Sequence, residues 1–317
     1  MQRSLMLDMA RVFAIALVLI AHFGQLLGHA SGDFFGIKNF YYVSLGGVGV
    51  SLFLLLSGLL VGLTDAHRSP RFLPYMKKKV VRIYPMYLLT VPLSFVGYLL
   101  SGLVLDGGLP DVFPNGFWID TLGSVTGAYA WLGLWGGPYN PPSWFIGLIM
   151  AMYLLAVPLI GLFKWSPNVT LQFLFILSVF SRWYVGAEGV FPFDDSVFDD
   201  LKGWTYRQFG FMPGRPTDWF PLCRVFEFAL GIYLALQVKH NFWFKLDISL
   251  LRKPVTFLSD IAFPLFLLHY PFMFLVMMFN DWGMNTSLSI SMFLVFIVVM
   301  AWCVTQAESL LMKRVYI

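Results

Sequence analysis

The sequence predicts an all-α fold, a polytopic helical bundle that spans a membrane. Of the 317 residues, 58% are hydrophobic and only 12% are charged, and the mean hydropathy is +0.74. Soluble globular domains carry about 25% charged residues, so that class is excluded, and the apolar content excludes disorder. Uncharged runs are also long enough to cross a hydrocarbon core of about 30 Å, which takes roughly 20 helical residues.

Eight runs are expected to form the membrane spans, because they lack Asp, Glu, Lys and Arg, apart from Arg224 and Glu227 in the sixth. The runs are 12–32, 39–64, 83–105, 144–163, 165–181, 219–238, 261–280 and 282–307. A ninth segment, 117–135, carries Asp120 and several glycines. We expect it to be re-entrant or interfacial, or part of an extra pair. The prediction is therefore a single domain over residues 1–317 with eight to ten transmembrane helices.

Lys and Arg in short loops predict which side of the membrane each loop occupies. Segment 64–82 holds six basic residues against one acid, and 238–253 holds four against one, so both are expected to be cytoplasmic. Segment 188–218 holds six acids against three basic residues and is expected to be external. These assignments agree if both termini are cytoplasmic. The net charge of +4 then reflects cytoplasmic loops in the inner or plasma membrane, and no nucleic-acid partner is expected.

Ionisable side chains inside a span are costly, so each is a candidate for function. Asp8 and Arg11 are three residues apart and can pair. Arg11 and His22 are separated by about three helical turns, roughly 16 Å, and share one helix face. One interpretation is a boundary ion pair with a hydrogen-bonded core histidine. The other is that His22 is a general base that faces a cavity.

The remaining candidates also have two interpretations. His269 is either a packing residue or part of a site shared with His22, and Arg224 with Glu227 is by default a structural ion pair. Ser57 lies in a Ser-Gly step that is also typical of close helix packing. The basic residues before span 83–105 either set the topology or hold an anionic phosphate donor; they are Arg71, Lys78, Lys79 and Arg82. The two cysteines form no metal-binding pair.

Four motifs follow one another from Leu7 almost to the end of the chain. They are Leu7-Asp8-Met9-Ala10-Arg11 with His22, then Gly49-Val50-Ser51-Leu52-Phe53 through Ser57-Gly58, then Lys79-Val80-Val81-Arg82-Ile83-Tyr84-Pro85, and finally Leu268-His269-Tyr270-Pro271. Weaker matches are Ser143-Trp144 with Tyr153, and Arg224-x-x-Glu227-Phe228 leading to Gly231. In this order they resemble the acyltransferase-3 family of integral membrane O-acyltransferases, without the extracytoplasmic SGNH domain of some members. Lys79 departs from the family, which has arginine there, and Asp260-Ile261 replaces its usual Ser-Tyr.

The resemblance implies transfer of an acyl group, most often acetyl, from cytoplasmic acyl-CoA to a hydroxyl of a surface glycan or lipid-linked saccharide. It implies that His22 deprotonates that hydroxyl and that Arg11 and Asp8 fix the inner end of the path. The expected donor-binding residues are Lys78, Lys79, Arg82, Arg71 and Ser57, and the expected substrate-binding residues are Trp144, Tyr153, Arg224, Glu227 and His269. Acetyl-CoA is the expected co-substrate, membrane lipids surround the chain, and no metal is expected.

An exporter of an acylated glycan or lipid is the alternative function. It would share the bundle and its intramembrane charges. Transporters frequently contain inverted repeats, however, and the sequence shows no internal repeat. A natural-product acceptor such as a macrolide is compatible with the same donor chemistry.

Overall fold

Helices account for most of the chain in the computed structural model, which describes residues 3–27, 31–34, 37–41, 43–65, 70–132, 134, 136–188, 216–237 and 248–315. The helices are α1 (Leu5–Leu26), α2 (Val43–Asp65), α3 (Phe72–Ser101), α4 (Phe117–Thr126), α5 (Trp144–Trp165), α6 (Pro167–Glu188), α7 (Pro216–Trp219), α8 (Pro221–Gln237), α9 (Ser249–Leu268), α10 (Phe274–Asp281) and α11 (Thr286–Val315). Two short antiparallel strands, β1 (Ser31–Phe34) and β2 (Ile37–Tyr41), join α1 to α2. The all-α prediction is confirmed. The short strand pair was not predicted from the sequence.

Six of the described helices are long and apolar enough to cross a membrane, namely α1, α2, α3, α5, α8 and α11. Helices α9 and α10 form a pair bent by 63°, which raises the number to seven if the pair is one span. Helix α6 has 22 residues and exposes large apolar side chains such as Phe173, Ile176 and Trp183, as a lipid-facing helix does. Helix α6, which covers the predicted run 165–181, is not among the helices apolar enough to span, so the described residues give six or seven spans where eight to ten were predicted. The chain is a multi-pass membrane protein.

The predicted span 261–280 is broken near its middle. Helix α9 ends at Leu268, a 3₁₀ turn covers Tyr270–Phe272, and α10 begins at Phe274. Pro271 explains the break, because proline has no N–H to continue the helical ladder and disfavours helical geometry in the residue before it. The bend places His269 in the interior of the bundle, where it is fully buried.

The described part of the weak segment 117–135 contains no helix long enough to span a membrane. Helix α4 has only 10 residues, so it is about 15 Å long, half of what a span requires. A 3₁₀ turn at Tyr129–Leu132 follows it. This arrangement agrees with the re-entrant or interfacial interpretation and not with an extra pair of spans.

The direction of each helix follows from its contacts. Glycines 46 and 49 at the start of α2 lie against Ala21 and Ala14 of α1, so these helices are antiparallel. We call the end that holds the N-terminus of α1 the inner end, and the opposite end the outer end. His22 then lies near the outer end of α1, whereas Ser57 lies in the inner half of α2.

Helices α2 and α8 approach each other closely through glycine. A Cβ atom on Gly58 would lie 1.9 Å from the backbone oxygen of Phe228, and one on Gly231 would lie 2.1 Å from that of Leu55. Contacts of this kind let two backbones pack directly, as small residues do in membrane helix pairs. The packing interpretation of the Ser57-Gly58 step therefore holds for Gly58, and α2 is fixed against α8 at the level of Ser57.

Replacing Gly58 by alanine should destabilise the protein. Alanine favours helix by about 1 kcal/mol over glycine, but its methyl group would collide with a backbone carbonyl that no side-chain rotation can move. We expect Gly58→Ala to lower the free energy of unfolding by roughly 1–3 kcal/mol and to lower the thermal midpoint of the detergent-purified protein. Gly47→Ala on the same helix is the control, since a Cβ there meets nothing within 4 Å. A Gly58→Ala midpoint at or above that of Gly47→Ala would contradict the close packing.

Candidate active site

Asp8 is buried at the inner end of the bundle, with 1% of its surface exposed, and its carboxylate accepts hydrogen bonds from three side chains. Its Oδ1 accepts hydrogen bonds from Arg11 Nη1 at 3.0 Å and from Ser259 Oγ at 2.8 Å. Its Oδ2 accepts one from Arg3 Nε at 2.6 Å. The predicted Asp8–Arg11 pair is confirmed. Because Ser259 belongs to α9, the same carboxylate also ties α1 to α9.

Arg3 extends this network toward the surface and was not identified from the sequence. Its Nη2 lies 2.8 Å from Oδ1 of Asp260, whose side chain is half exposed. The hydrogen bond to Asp8 is the largest of the effects that raise the pKa of Arg3, so the guanidinium stays charged. The inner end of α1 is therefore held by two carboxylates and two arginines.

Lys79 does not lie at the surface, contrary to the prediction that it meets donor phosphates there. It is 4% exposed, and its Nζ lies 3.1 Å from Oδ2 of Asp65. The ammonium also lies 4.7 Å from the ring centroid of Tyr75 and 5.0 Å from that of Tyr153. A carboxylate and two aromatic faces satisfy this buried charge. Lys79 therefore positions its neighbours and is not a free cation.

Other predicted donor residues do converge at the inner end. Arg82 is exposed and lies close enough to Arg11 and Tyr153 for electrostatic interaction, and Ser57 is close enough to Tyr153 for their side chains to interact. We call Arg11, Ser57, Arg82 and Tyr153 the inner cluster; its members come from α1, α2, α3 and α5. Lys78 and Arg71 are exposed at the same end. Tyr153, expected at the substrate, belongs instead to this cluster.

A cavity of about 560 Å³ opens near the outer end of α1. This volume is in the range of small-molecule sites. We call it the outer cavity; its polar lining includes His22, Gln25, Tyr98, Asp106, Asp111, Asn115, Tyr139 and Tyr270. The wall is built by α1, by the end of α3 with the following loop, and by the bend between α9 and α10. The remaining lining residues are Leu134, Gly137, Pro138, Tyr139 and Pro141.

His22 is a half-buried member of this wall. Its Nδ1 lies 2.8 Å from Oε1 of Gln25. Because the amide oxygen only accepts, this contact assigns the proton to Nδ1 and leaves Nε2 with a lone pair, as a general base requires. The ring meets Tyr270 edge-on with centroids 5.1 Å apart. Gln25 was not predicted as a site residue. Its position three residues after His22, one helical turn along the same face, was the signal that could have identified it.

His269 lies directly behind His22, with ring centroids 5.1 Å apart. Its Nδ1 lies 2.7 Å from the backbone oxygen of Phe266, which can only accept, so Nδ1 carries the proton. Its Nε2 is buried and has no partner among the described residues. The bend thus brings the two membrane histidines together, with His22 in the cavity wall and His269 behind it.

Two of the three phenols that line the outer cavity donate hydrogen bonds to the backbone. Tyr98 donates to the carbonyl of Asp111 at 2.8 Å, and Tyr139 donates to that of Val112. Burial, together with the nearby carboxylates of Asp120 and Asp111, raises the pKa of Tyr139. Tyr139 therefore stays protonated and holds the loop between α3 and α4 over the cavity.

Arg224 and Glu227 belong to a separate buried cluster and do not line the outer cavity. Oε1 of Glu227 lies 3.3 Å from Arg224 Nη1, 2.5 Å from Arg182 Nη2 and 3.3 Å from Ser51 Oγ. These contacts join α2, α6 and α8, which favours the structural interpretation over the predicted contact with substrate. Trp144, also expected at the substrate, packs against Phe145 and the core instead.

Three phenylalanines separate the inner cluster from the histidine pair. The ring centroids of Phe53, Phe145 and Phe266 lie 5.3 to 6.2 Å apart. Phe53 precedes Ser57 by one helical turn, Phe145 precedes Tyr153 by about two turns, and Phe266 lies one turn before His269. We call them the aromatic plug. No residue of the inner cluster lines the described outer cavity, so that cavity does not connect the two sites.

Replacing Asp8 by asparagine should destabilise the bundle because it leaves two arginines without their shared carboxylate. Breaking a buried ion pair costs about 3–5 kcal/mol, and we expect the lower end because both guanidinium groups are partly exposed. The measurement is the free energy of unfolding in a denaturant titration. Asp260→Asn removes the half-exposed carboxylate of the same network and should cost under about 1 kcal/mol. Equal losses of unfolding free energy in the two variants would contradict the conclusion that Asp8 holds both arginines in place.

The geometry of the described residues does not indicate a metal centre, since no group of three His, Cys, Asp or Glu among them could hold an ion.

A comparison with solved structures finds no match. Among curated proteins, the chain is 32% identical to an O-acetyl transferase of Shigella phage Sf6 over 125 residues, which are 39% of this chain and 35% of that protein.

A second relative covers more of the chain. It is the acyltransferase MdmB of Streptomyces mycarofaciens, 24% identical over 255 residues, which are 74% of this chain and 57% of that protein. The chain therefore spans about a third of one relative and just over half of the other. The acyltransferase-3 profile, described as an acyltransferase domain, matches residues 5–252. Because that match includes α1 with His22, the inner cluster and most of the bundle, the chain belongs to the acyltransferase-3 family.

Proposed function

We propose that this protein is a membrane O-acyltransferase that moves an acyl group from acyl-CoA to a hydroxyl group. The acyl group that we propose is acetyl. The observation that carries the proposal is the position of His22, an imidazole on a cavity wall with its Nδ1 held by Gln25. It lies about three turns from Arg11 of the inner cluster on one helix. The names of both relatives, an O-acetyl transferase and an acyltransferase, support the same reaction class.

The inner end supplies the donor site. Arg71, Lys78 and Arg82 are exposed cations that would bind the phosphates of coenzyme A, arginine as a planar fork and lysine as a point charge. The buried pair of Lys79 and Asp65 fixes α3 against α2 beside them. This end would face the cytoplasm under the positive-inside rule, which supports a position in the inner or plasma membrane.

The acyl-pantetheine arm would extend from the inner cluster toward His22. The separation of Arg11 from His22, roughly 16 Å, suits an extended arm. The aromatic plug lies across this route, so donor binding must displace its rings. Phenylalanine rings packed edge to face can part without leaving a hydrogen bond unmade. The plug would therefore keep water from the thioester and open only for the arm.

His22 would act as the general base, a role typically worth 10²–10⁴ in rate. The hydroxyl oxygen bonds to the thioester carbon while its proton moves to Nε2 of His22. The carbon–sulfur bond then breaks, and the coenzyme A thiolate takes that proton back. An ester and free coenzyme A result, and the imidazole returns to its neutral state.

The outer cavity would hold the acceptor. Asp106 and Asp111 offer carboxylates to the hydroxyl groups of a ligand, and Tyr98 and Tyr139 offer ring faces. Such a lining suits a sugar, and the position near the outer end suits a cell-surface glycan or its lipid-linked precursor. The acceptor would enter from the side opposite to the donor.

Replacing His22 by alanine should abolish acetyl transfer. We expect label from radioactive acetyl-CoA to reach membrane glycan at least about 10²-fold more slowly in His22→Ala vesicles. Ser291→Ala on the exposed surface of α11 is the control and should transfer normally. Product formation by His22→Ala at the unmodified rate would remove His22 from the mechanism. An unmodified protein that consumes no thioester would favour an exporter.

Replacing Arg82 by alanine should weaken donor binding without a matching loss of protein. A charge-assisted hydrogen bond contributes about 1.5–3 kcal/mol, so the dissociation constant of acetyl-CoA should rise about tenfold or more. Equilibrium binding of labelled acetyl-CoA to purified protein measures it. Lys253→Ala removes an exposed cation at the start of α9 and should leave binding unchanged. Equal losses of binding and of expression in Arg82→Ala would instead indicate a folding role.

A further inference from the structure

The permanently charged groups in the lining of the outer cavity are all negative. Asp106 and Asp111 line it, and no Lys or Arg does so among the described residues. The lining residues fall within three stretches of the sequence, 12–37, 83–163 and 254–312, and none of these stretches contains Lys or Arg. The lack of a positive charge is therefore a property of whole segments of the wall and does not depend on the direction of one side chain.

The two lining carboxylates are exposed and form no ion pair with a described residue. Asp106 ends a single π-helical turn, Gly102–Asp106, that continues α3. Oδ1 of Asp111 accepts a hydrogen bond from the backbone N–H of Phe113 at 3.1 Å, and its backbone oxygen accepts one from the phenol of Tyr98 at 2.8 Å. The wall thus holds Asp111 in place, and the negative charge of both side chains remains available to a ligand.

A third carboxylate lies behind the wall. Asp120 is fully buried and accepts hydrogen bonds from Nδ2 of Asn115 at 2.7 Å and from the phenol of Tyr129 at 3.1 Å. These partners are neutral, so they satisfy the oxygen atoms without adding a positive charge. Burial, and then the carboxylates of Asp120 and Asp111, raise the pKa of Tyr139 in the lining. The field of these carboxylates therefore reaches the cavity.

The two ends of the proposed reaction path differ in the sign of their charge. The inner end presents the exposed cations Arg71, Lys78 and Arg82, which suit phosphates, whereas the outer cavity presents only carboxylates. A cleft that is lined by charges of one sign concentrates ligands of the opposite sign. It also rejects ligands of the same sign, because juxtaposed like charges cost several kcal/mol.

We infer that Asp106 and Asp111 select the acceptor by charge, so that the sugar entering the outer cavity is uncharged or carries an amine, whereas a sugar with a carboxylate or phosphate is excluded. This inference rests on the proposed function and names the class of acceptor for the same site. The cavity beside His22 is the site, and the two carboxylates determine what it admits. A lipid-linked precursor would accordingly enter with a sugar that is remote from its phosphate.

Three methyl glycosides of similar size test this selection as competitors of acetyl transfer. They are methyl β-D-glucoside, methyl β-D-glucuronide, which has a carboxylate, and methyl β-D-glucosaminide, which has an amine. Each inhibits if it occupies the outer cavity, whether or not it is itself acetylated. The readout is the inhibition constant against transfer of label from radioactive acetyl-CoA to glycan. Detergent-permeabilised vesicles that contain the full chain are compared with vesicles that lack it.

We expect the inhibition constant of the glucuronide to be at least about tenfold that of the glucoside, and the constant of the glucosaminide to be equal to that of the glucoside or lower. The ratio of the glucuronide to the glucoside constant should fall when NaCl is raised from about 0.05 to about 0.5 M, because salt screens exposed charges. Rejection by shape alone would leave this ratio unchanged.

Replacing both Asp106 and Asp111 by asparagine should lower the same ratio about tenfold, toward one, because the amide keeps the shape and removes the charge. The ratio is the informative quantity, since a lost hydrogen bond to sugar hydroxyl groups would affect both glycosides. Asp281→Asn is the matched control: it removes an exposed carboxylate at the end of α10 that does not line the cavity, so the ratio should stay high.

The inference is overturned by a ratio near one in the unmodified protein, or by a high ratio that neither salt nor the double replacement lowers. The salt series decides between charge and shape even if the double variant does not fold. Inhibition by none of the three glycosides would also overturn it, because the cavity would then bind no sugar. Failure of the proposed function looks different: the unmodified chain would transfer no label above the vesicles that lack it.

Discussion

A charge inside an apolar bundle must be paired, and this constraint arranges the helices of the protein. Removing a charge from water costs several kcal/mol, and only a close partner of opposite sign with good geometry offsets it. Asp8 is satisfied by arginines of its own segment and by Ser259 of α9, Lys79 by Asp65 of α2, and Glu227 by arginines of α6 and α8. The contacts of Asp8 with Ser259 and of Glu227 with Arg182 join helices that are far apart in sequence, whereas Lys79 and Asp65 join the consecutive helices α3 and α2.

A neutral histidine needs no partner of opposite charge in the interior, because its ring nitrogens require only hydrogen bonds. That is why His269 can be fully buried at the bend with a single backbone partner. His22 has the same freedom but also borders the outer cavity. The two histidines therefore lie near the outer end, whereas Asp8 and Lys79 form ion pairs at the inner end. A donor rich in phosphate and a neutral acceptor would each meet the end that suits it.

The sequence predicted the features that depend on local spacing. Uncharged runs predicted most of the helices, and the interval of three residues predicted the Asp8–Arg11 pair. The break at His269 was not predicted, although Pro271 was a signal for it. Long-range partners could not be read in this way. The burial of Lys79 depends on Asp65, and the position of Asp8 depends on Ser259, more than 200 positions away.

The proposed mechanism needs one route through the bundle that joins the inner cluster to His22. A structure by electron cryo-microscopy with a non-hydrolysable ketone analogue of acetyl-CoA would reveal such a route. We expect phosphates beside Arg82, displaced rings at Phe53 and Phe266, and the ketone within hydrogen-bonding distance of His22. An analogue whose acyl end stays on the inner side of an intact aromatic plug would contradict it.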